Sequence, residues 1–309
     1  MEKYQYIFGP LPSRRMGLSL GVSPIPKKCC NYSCVYCQLG RTPKLEKEPR
    51  WHFPAADILK EVADYLSSGV HFDVLTVVGE GEPTLYAGLE ELLAGLKKLT
   101  DKPIAVITNG SLLGDAKVRQ ALQQADIVMP SLDAYDEHSF KKINRPWKDL
   151  RFEEVYRGLV TFSQAYTGQL WLEVMLVRGL NDDETSLLKL KDLLAGIRYD
   201  RLFINSPVRP PAESWVGEPE EAVLKRAEEI LGGVSIAQAP APDFYSEEVD
   251  DYEAVLSIIK RHPMNQHEIK SFLAGRNCGE PEEVLRRLRE NPQVEVIDYK
   301  GYQTYRVVR

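Results

Sequence analysis

The sequence predicts an α/β protein, a parallel sheet with helices outside, followed by a small C-terminal domain. Three observations carry this. Six short apolar runs alternate with six amphipathic stretches between residues 18 and 231, the pattern of repeated βα units. The segments after these runs are rich in Cys, Gly, Asn, Ser, Asp and Glu, as expected where strand ends face a ligand. From residue 251 the alternation gives way to three helical stretches and a hairpin. Six units are too few for a closed eight-stranded barrel.

The elements follow in order. Phe8-Gly9-Pro10-Leu11-Pro12-Ser13-Arg14-Arg15 is rich in turn formers. Its paired arginines, Arg14 and Arg15, suit fork-shaped contacts with a carboxylate or phosphate of a substrate, or a plain surface ion pair. Leu18 to Val22 is the first strand, and a cysteine loop follows it. Asp57 to Leu66 places Ile58, Leu59, Val62 and Leu66 at helical spacing. Further strands are expected at 74–78, 104–108, 127–129, 170–177 and 202–204. Further helices are expected at 89–99, 116–124, 152–166, 184–197 and 220–231. Continuous apolar runs such as Val74-Leu75-Thr76-Val77-Val78 suit strands buried on both faces.

The strand ends carry the polar residues. After the second comes Gly79-Glu80-Gly81-Glu82-Pro83-Thr84, where glycine admits close approach and a carboxylate can accept from an ammonium group. The third ends in Thr108-Asn109-Gly110 and the fourth in Ser131-Leu132-Asp133. The fifth carries Glu173, and the sixth leads into Asn205 and Arg209. Asn109, Glu173 and Asn205 could equally cap helices. Asn144-Arg145-Pro146-Trp147 could line a substrate pocket, but reads first as an ordinary Pro-stiffened loop.

Residues 236–250, rich in Ala, Pro and Asp, read as a linker between a domain at 1–235 and one at 251–309. In the tail, helices are expected at 252–261, from a capping box at Asn265-Gln266-His267-Glu268 to Ala274, and at 280–290. A hairpin follows at 294–308. Three helices and a hairpin look like a winged helix-turn-helix, a fold that often binds nucleic acid.

Composition bounds the rest. The chain has 309 residues, 43% of them hydrophobic, and no apolar run long enough to span a membrane. Its first residues lack the basic and apolar regions of a signal peptide. Five cysteines, three of them clustered, do not form a disulfide framework, so a cytoplasmic location is expected. The net charge of −6 is uneven: +6 over residues 1–50, −13 over 51–250 and +1 over 251–309. Near-neutrality of the tail opposes strong phosphate binding, with Arg286, Arg287 and Arg289 a local exception.

Cys30, Cys34 and Cys37 stand at a Cys-x3-Cys-x2-Cys spacing inside eight residues. Soft thiolates held close on one loop suit an iron–sulfur cluster. Three ligands leave one iron of a cubane open. Cys34-Val35-Tyr36-Cys37 alone would also suit a redox dithiol or half a zinc site. The motif, with Tyr36 before its last cysteine, resembles the signature of the radical S-adenosylmethionine (SAM) superfamily. Gly81-Glu82-Pro83 resembles that family's Gly-Gly-Glu motif, with Glu80 where the first glycine usually stands. The phrase at 9–15 and Gly-Glu-Pro-Thr-Leu at 81–85 look like the branch near the wybutosine-synthesis enzymes.

The resemblance implies an open (β/α)6 partial barrel, a TIM-like fold, and two cofactors. A [4Fe–4S] cluster would sit on Cys30, Cys34 and Cys37. SAM would lie against Tyr36, Gly81, Glu82, Pro83, Ser131 and Asp133, with Asn109, Glu173 and Asn205 as further contacts. Arg14, Arg15 and Arg209 are the expected substrate contacts. The implied reaction is one-electron cleavage of SAM to a 5′-deoxyadenosyl radical that abstracts hydrogen from a substrate, fed by a reductant such as ferredoxin or flavodoxin. No residue is singled out as catalytic. Three readings follow: an enzyme acting on RNA such as tRNA delivered by the tail; an enzyme acting on a peptide or small molecule, with the tail docking the substrate or a protein partner; and a non-catalytic metal-binding regulator that uses the tail to bind DNA.

Overall fold

The computed structural model describes residues 4–236, 244, 246 and 248–308. Eight strands form one sheet in the order in which they occur in the chain. They are β1 (Ile7–Ser13), β2 (Gly17–Val22), β3 (Val74–Val77), β4 (Ile104–Thr108), β5 (Ile127–Pro130), β6 (Gln169–Met175), β7 (Arg201–Asn205) and β8 (Val234–Ser235). All neighbours from β2 to β8 pair in parallel, and β1 lies antiparallel to β2. The helices are α1 (Ala55–Leu66), α2 (Leu89–Leu99), α3 (Ala116–Leu122), α4 (Glu137–Ile143), α5 (Phe152–Ala165), α6 (Glu184–Leu194) and α7 (Glu221–Leu231). The six expected strands and six expected helices are all present, with ends shifted by a few residues.

Strand alternation builds two separate cores. Leu75, Ile104, Val106, Val128, Leu170, Leu172, Leu202 and Ile204 face the helices. Val74, Ala105, Ile127, Met129, Trp171 and Phe203 form a second cluster on the opposite face. This is why the strands read as unbroken apolar runs. α2 shows the helix side: Leu89, Leu92, Leu93 and Leu96 are buried at helical spacing, each worth about 1.5–3 kcal/mol over exposure. Its Glu90 and Glu91 stand in the first turn and Lys97 and Lys98 in the last, matching the helix dipole.

Three elements depart from expectation. The opening segment is a strand, not a run of turns. Its register breaks between Phe8 and Leu11, and as an edge strand it tolerates Pro10 and Pro12. α4 was not anticipated; it is short, and Asp136 and Ser139 cap it reciprocally. β8 has two residues only.

The tail holds α8 (Asp251–Ile259), β9 (Met264–Asn265), α9 (Gln266–Gly275), α10 (Pro281–Glu290), β10 (Val294–Tyr299) and β11 (Tyr302–Val307). The strands form a separate antiparallel sheet, order β10-β11-β9. The expected hairpin therefore gains a third, two-residue strand. Asn265 and Glu268 form the expected capping box. Ile258, Ile259, Met264, Ile269, Leu273, Leu285, Leu288 and Tyr305 make this unit's own core. The expected linker at 236–250 lies largely outside the described residues. No helix among the described residues is long and apolar enough to cross a membrane.

Candidate active site

The cysteine loop leaves β2 and is held by two neighbouring segments. Glu82 N donates to Cys29 O at 2.8 Å, and Lys28 N donates to Glu80 O at 2.6 Å, so the Gly79–Pro83 loop after β3 runs against it. A Cβ on Gly81 would stand 1.9 Å from Cys29 O, so only glycine admits this approach. The second is the end of α4 and the loop after it: Val35 N reaches Ile143 O at 2.9 Å, Ser33 N reaches Asn144 O at 3.1 Å, and Trp147 N reaches Asn31 O at 2.8 Å. Asn144-Arg145-Pro146-Trp147 is therefore a cradle for the cysteine loop rather than an ordinary connection.

All three motif cysteines are free and half-buried. Each sulfur has a nitrogen beside it. Asn109 Nδ2 lies 3.8 Å from Cys30 Sγ, and Asn144 Nδ2 lies 3.6 Å from Cys34 Sγ. Lys28 Nζ lies 3.7 Å from Cys37 Sγ. Burial, reinforced by Glu82, pushes the Cys30 thiol up to about 12. Burial, with Asp133 beside it, also raises Cys34 well above the usual thiol range. Among the described residues, no three His, Cys, Asp or Glu side chains are set out to hold a single metal ion. A cubane differs, because each thiolate binds a different iron and the sulfurs stay apart.

Glu82 is buried and turned inward. Its Oε1 accepts from Thr84 N at 3.0 Å, Thr84 Oγ1 at 2.5 Å and Thr108 Oγ1 at 2.6 Å. Its Oε2 accepts from Asn109 N at 2.7 Å, which leaves that oxygen room for a further donor. Burial pushes this carboxyl up against the pull of those hydrogen bonds. Pro83 opens a single 3-10 turn, Pro83–Leu85.

Asp133 joins the cysteine loop to the sheet. It accepts from Tyr36 Oη, from Asn144 Nδ2 at 2.8 Å and from Met175 N at 2.9 Å. Glu173, on β6, forms an ion pair with Arg15, which enters from the β1–β2 turn. Burial lowers the Arg15 guanidinium to about 10. Ser131 N donates to Thr108 O at 3.2 Å, and Ser131 bridges to Glu173. A cavity of about 20 Å³ behind the loop is lined by Tyr32, Asn109, Ser131, Asp133 and Asn144. It has room for one water and none for a nucleoside.

The remaining expected residues lie elsewhere. Asn205 Oδ1 accepts from its neighbour Ser206 N at 2.9 Å. Arg14 is exposed and donates to Ile236 O at 3.0 Å. Arg209 is engaged by the tail, where Glu268 takes its fork and His262 Nε2 lies 2.9 Å from Nη2.

Four contributors escaped the sequence reading. Lys28 and Asn31 flank the first cysteine, and nothing in their spacing marks them. Asn144 lies in the loop read as a Pro-stiffened connection or a substrate-pocket wall, with no sign of a role beside a cysteine. Glu213, from the loop after β7, donates its N–H to Val35 O at 3.1 Å. Its buried carboxylate takes Arg41 in two bonds, at 2.8 and 2.7 Å, and also Arg145. The Arg41 hydrogen bonds, joined by Arg145, hold this carboxyl down at about 2.

A profile described as the Radical SAM superfamily matches residues 25–190. The chain belongs to the radical SAM superfamily. A UPF0026 protein of Methanocaldococcus jannaschii is 34% identical over 308 residues, covering 96% of this chain and 94% of that protein. Among solved structures, Streptococcus suis SuiB bound to S-adenosylmethionine aligns with TM-score 0.53 at 18% identity, over 70% of this chain and 47% of that one. A radical SAM methyltransferase from Sphaerobacter thermophilus aligns with TM-score 0.50 at 17% identity, over 70% and 65%. These two likenesses concern the fold, and this chain spans about half of the SuiB chain. Radical SAM proteins use a [4Fe–4S] cluster and SAM, and this chain is an iron–sulfur, SAM-dependent enzyme.

Proposed function

We propose that Cys30, Cys34 and Cys37 hold the [4Fe–4S] cluster and that SAM lies beside it, against the Gly81–Pro83 loop and the ends of β4 to β6. The observation that carries this is the joining of two loops by backbone hydrogen bonds, Glu82 N to Cys29 O and Lys28 N to Glu80 O. It puts three free thiols next to the glycine-bearing loop. Together the two cofactors supply one-electron cleavage of SAM to a 5′-deoxyadenosyl radical. The residues of the chain orient and exclude water. Tyr36 and Asp133 fix the loop's last turn against β6. Ser131 and Asn109 offer polar groups at neighbouring strand ends. The buried pair of Arg15 and Glu173 is the proposed place for a polar substrate group, since either partner can exchange its bond for one to the substrate. Arg209 serves docking of the tail rather than substrate contact.

On substrate class, the tail's charges favour a small molecule or peptide, with the tail as docking module. Arg286 is held between Glu283 and Glu290, Arg287 stacks over Tyr252, and Arg289 reaches Gln303 and Tyr305. Arg286 is neutralised by its two carboxylates, and the tail as a whole carries a net charge of only +1, which leaves little to neutralise phosphates. The second reading, tRNA delivered by a winged helix, rests on the tail's element order, α-β-α-α-β-β. Filter binding of bulk tRNA across a salt series separates the two. Salt-sensitive binding that disappears when residues 251–309 are removed would favour the RNA reading. Salt-insensitive or absent binding supports the small-substrate reading.

A further inference from the structure

We propose that Lys28 sets the reduction potential of the cluster through Cys37, with Asn109 and Asn144 as weaker contributors through Cys30 and Cys34. The inference rests on the ligand assignment above. Three side chains from three different elements each present an N–H to a different sulfur. Asn109 comes from the end of β4, Asn144 from the end of α4, and Lys28 from the approach to the loop.

The two amides are locked. Asn109 Oδ1 accepts from Ser111 N at 2.9 Å, which turns Nδ2 toward Cys30 and toward Asn31 Oδ1 at 2.8 Å. Asn144 Nδ2 faces the Asp133 carboxylate at 2.8 Å, an acceptor only, and so stays a donor toward Cys34. Lys28 is fixed at both ends. Its backbone takes a left-handed φ of 63°, uncommon for a residue with a Cβ, and its N–H is bound to Glu80 O. Its ammonium also donates to Gly40 O, three residues beyond Cys37. The charge is therefore held at the sulfur instead of swinging into solvent.

Reduction of [4Fe–4S]2+ by one electron from an external reductant adds one negative charge to the cluster. A donor or cation at a ligand sulfur stabilises the more negative state and raises the potential. An ammonium does so more strongly than a neutral amide. Lys28 thereby makes the first electron easier to accept. It is a positioning residue, since it would act through a ligand sulfur.

The test is an anaerobic redox titration of the reconstituted full chain, followed by electron paramagnetic resonance without SAM. Lys28→Met should lower the ratio of reduced to oxidised cluster at fixed solution potential at least tenfold, which is about 59 mV for one electron. Iron content should stay unchanged, Lys28→Arg should restore the ratio, and Asn144→Ala should lower it less. A ratio within twofold of wild type in Lys28→Met, with iron intact, would overturn the proposal, as would Lys28→Arg matching Lys28→Met. If Lys28→Met fails to load iron, Lys28→Gln takes its place. An intermediate fall supports the proposal and an unchanged ratio rejects it. A wild-type chain that takes up no cluster would instead remove the ligand assignment itself, and the inference with it.

Discussion

A methyl group at Gly81 would collide with the Cys29 carbonyl oxygen, and this one contact fixes the distance between two loops. Gly81→Ala must push them apart and break the hydrogen bond from Glu82 N. We expect a loss of about 1–3 kcal/mol in denaturant unfolding, together with reduced iron uptake. Unchanged stability would mean that the loops slide freely. Glu82 is the second pivot. Replacing it by alanine strands the buried N–H groups of Thr84 and Asn109, each worth about 1–3 kcal/mol when left unpaired. Glu82→Gln keeps an acceptor and should lose less than Glu82→Ala. Equal losses would show that the charge, not the hydrogen bonding, is what matters. At the thiols, Cys34→Ala should abolish the absorbance near about 400 nm that thiolate–iron bonding gives. A full cluster in that variant would contradict the ligand assignment.

Among the elements, the tail and the eight-stranded sheet domain meet at a clasp around Arg209. Glu268 opens α9 and His262 follows α8, and both reach the same guanidinium. His262 is half-buried, and its desolvation, with Arg209 and Arg14 beside it, lowers it to about 3. Its Nε2 accepts from Arg209, which requires the neutral ring. A released histidine takes up a proton near pH 6.5, the docked one only near 3. Between those values the released state binds more protons, so stability falls as the pH falls and is retained in full above about 6.5. Between pH 6.5 and 5 the loss should be about 2 kcal/mol. Urea unfolding at several pH values measures it, and His262→Gln should flatten the slope. A slope as steep in the variant would place the titrating group elsewhere.

The same scale shows what the sequence could reveal. The parallel strands and their helices were legible because each is buried by a regular period. β1 was not, because Gly9, Pro10 and Pro12 are breakers everywhere except on an edge strand. β8 and β9 are too short to show a period, and α4 buries only two apolar side chains, Phe140 and Ile143. In the site, the cysteines and Gly81-Glu82-Pro83 were legible because each motif is contiguous. Asn144 and Glu213 were not, because they act on the cysteine loop from 110 and 178 residues away, counted from Cys34 and Val35. Arg209 was placed with the substrate for want of any sign of its partners in the tail.

Across the whole molecule, the tail spans the two sides of the open sheet. Arg261 ion-pairs with Glu80, donates to Gln5 O at 3.2 Å and stacks over Phe8 near β1. At the other side, Tyr299 Oη donates to Pro207 O at 2.5 Å and Lys300 pairs with Glu218 after β7. Glu80 is also the residue whose carbonyl holds Lys28. The tail thus reaches the cysteine loop through a single intermediate, and its removal should loosen that loop as well as uncover the sheet's edges. The central claim is that this loop, so held, carries a cluster that cleaves SAM. Anaerobic reconstitution with iron and sulfide, then dithionite and SAM, with chromatography for 5′-deoxyadenosine, tests it most directly. The nucleoside should form in the wild-type chain and be lost when Cys30, Cys34 or Cys37 is replaced by alanine. Zinc uptake without a cluster, or 5′-deoxyadenosine that persists in all three variants, would contradict it.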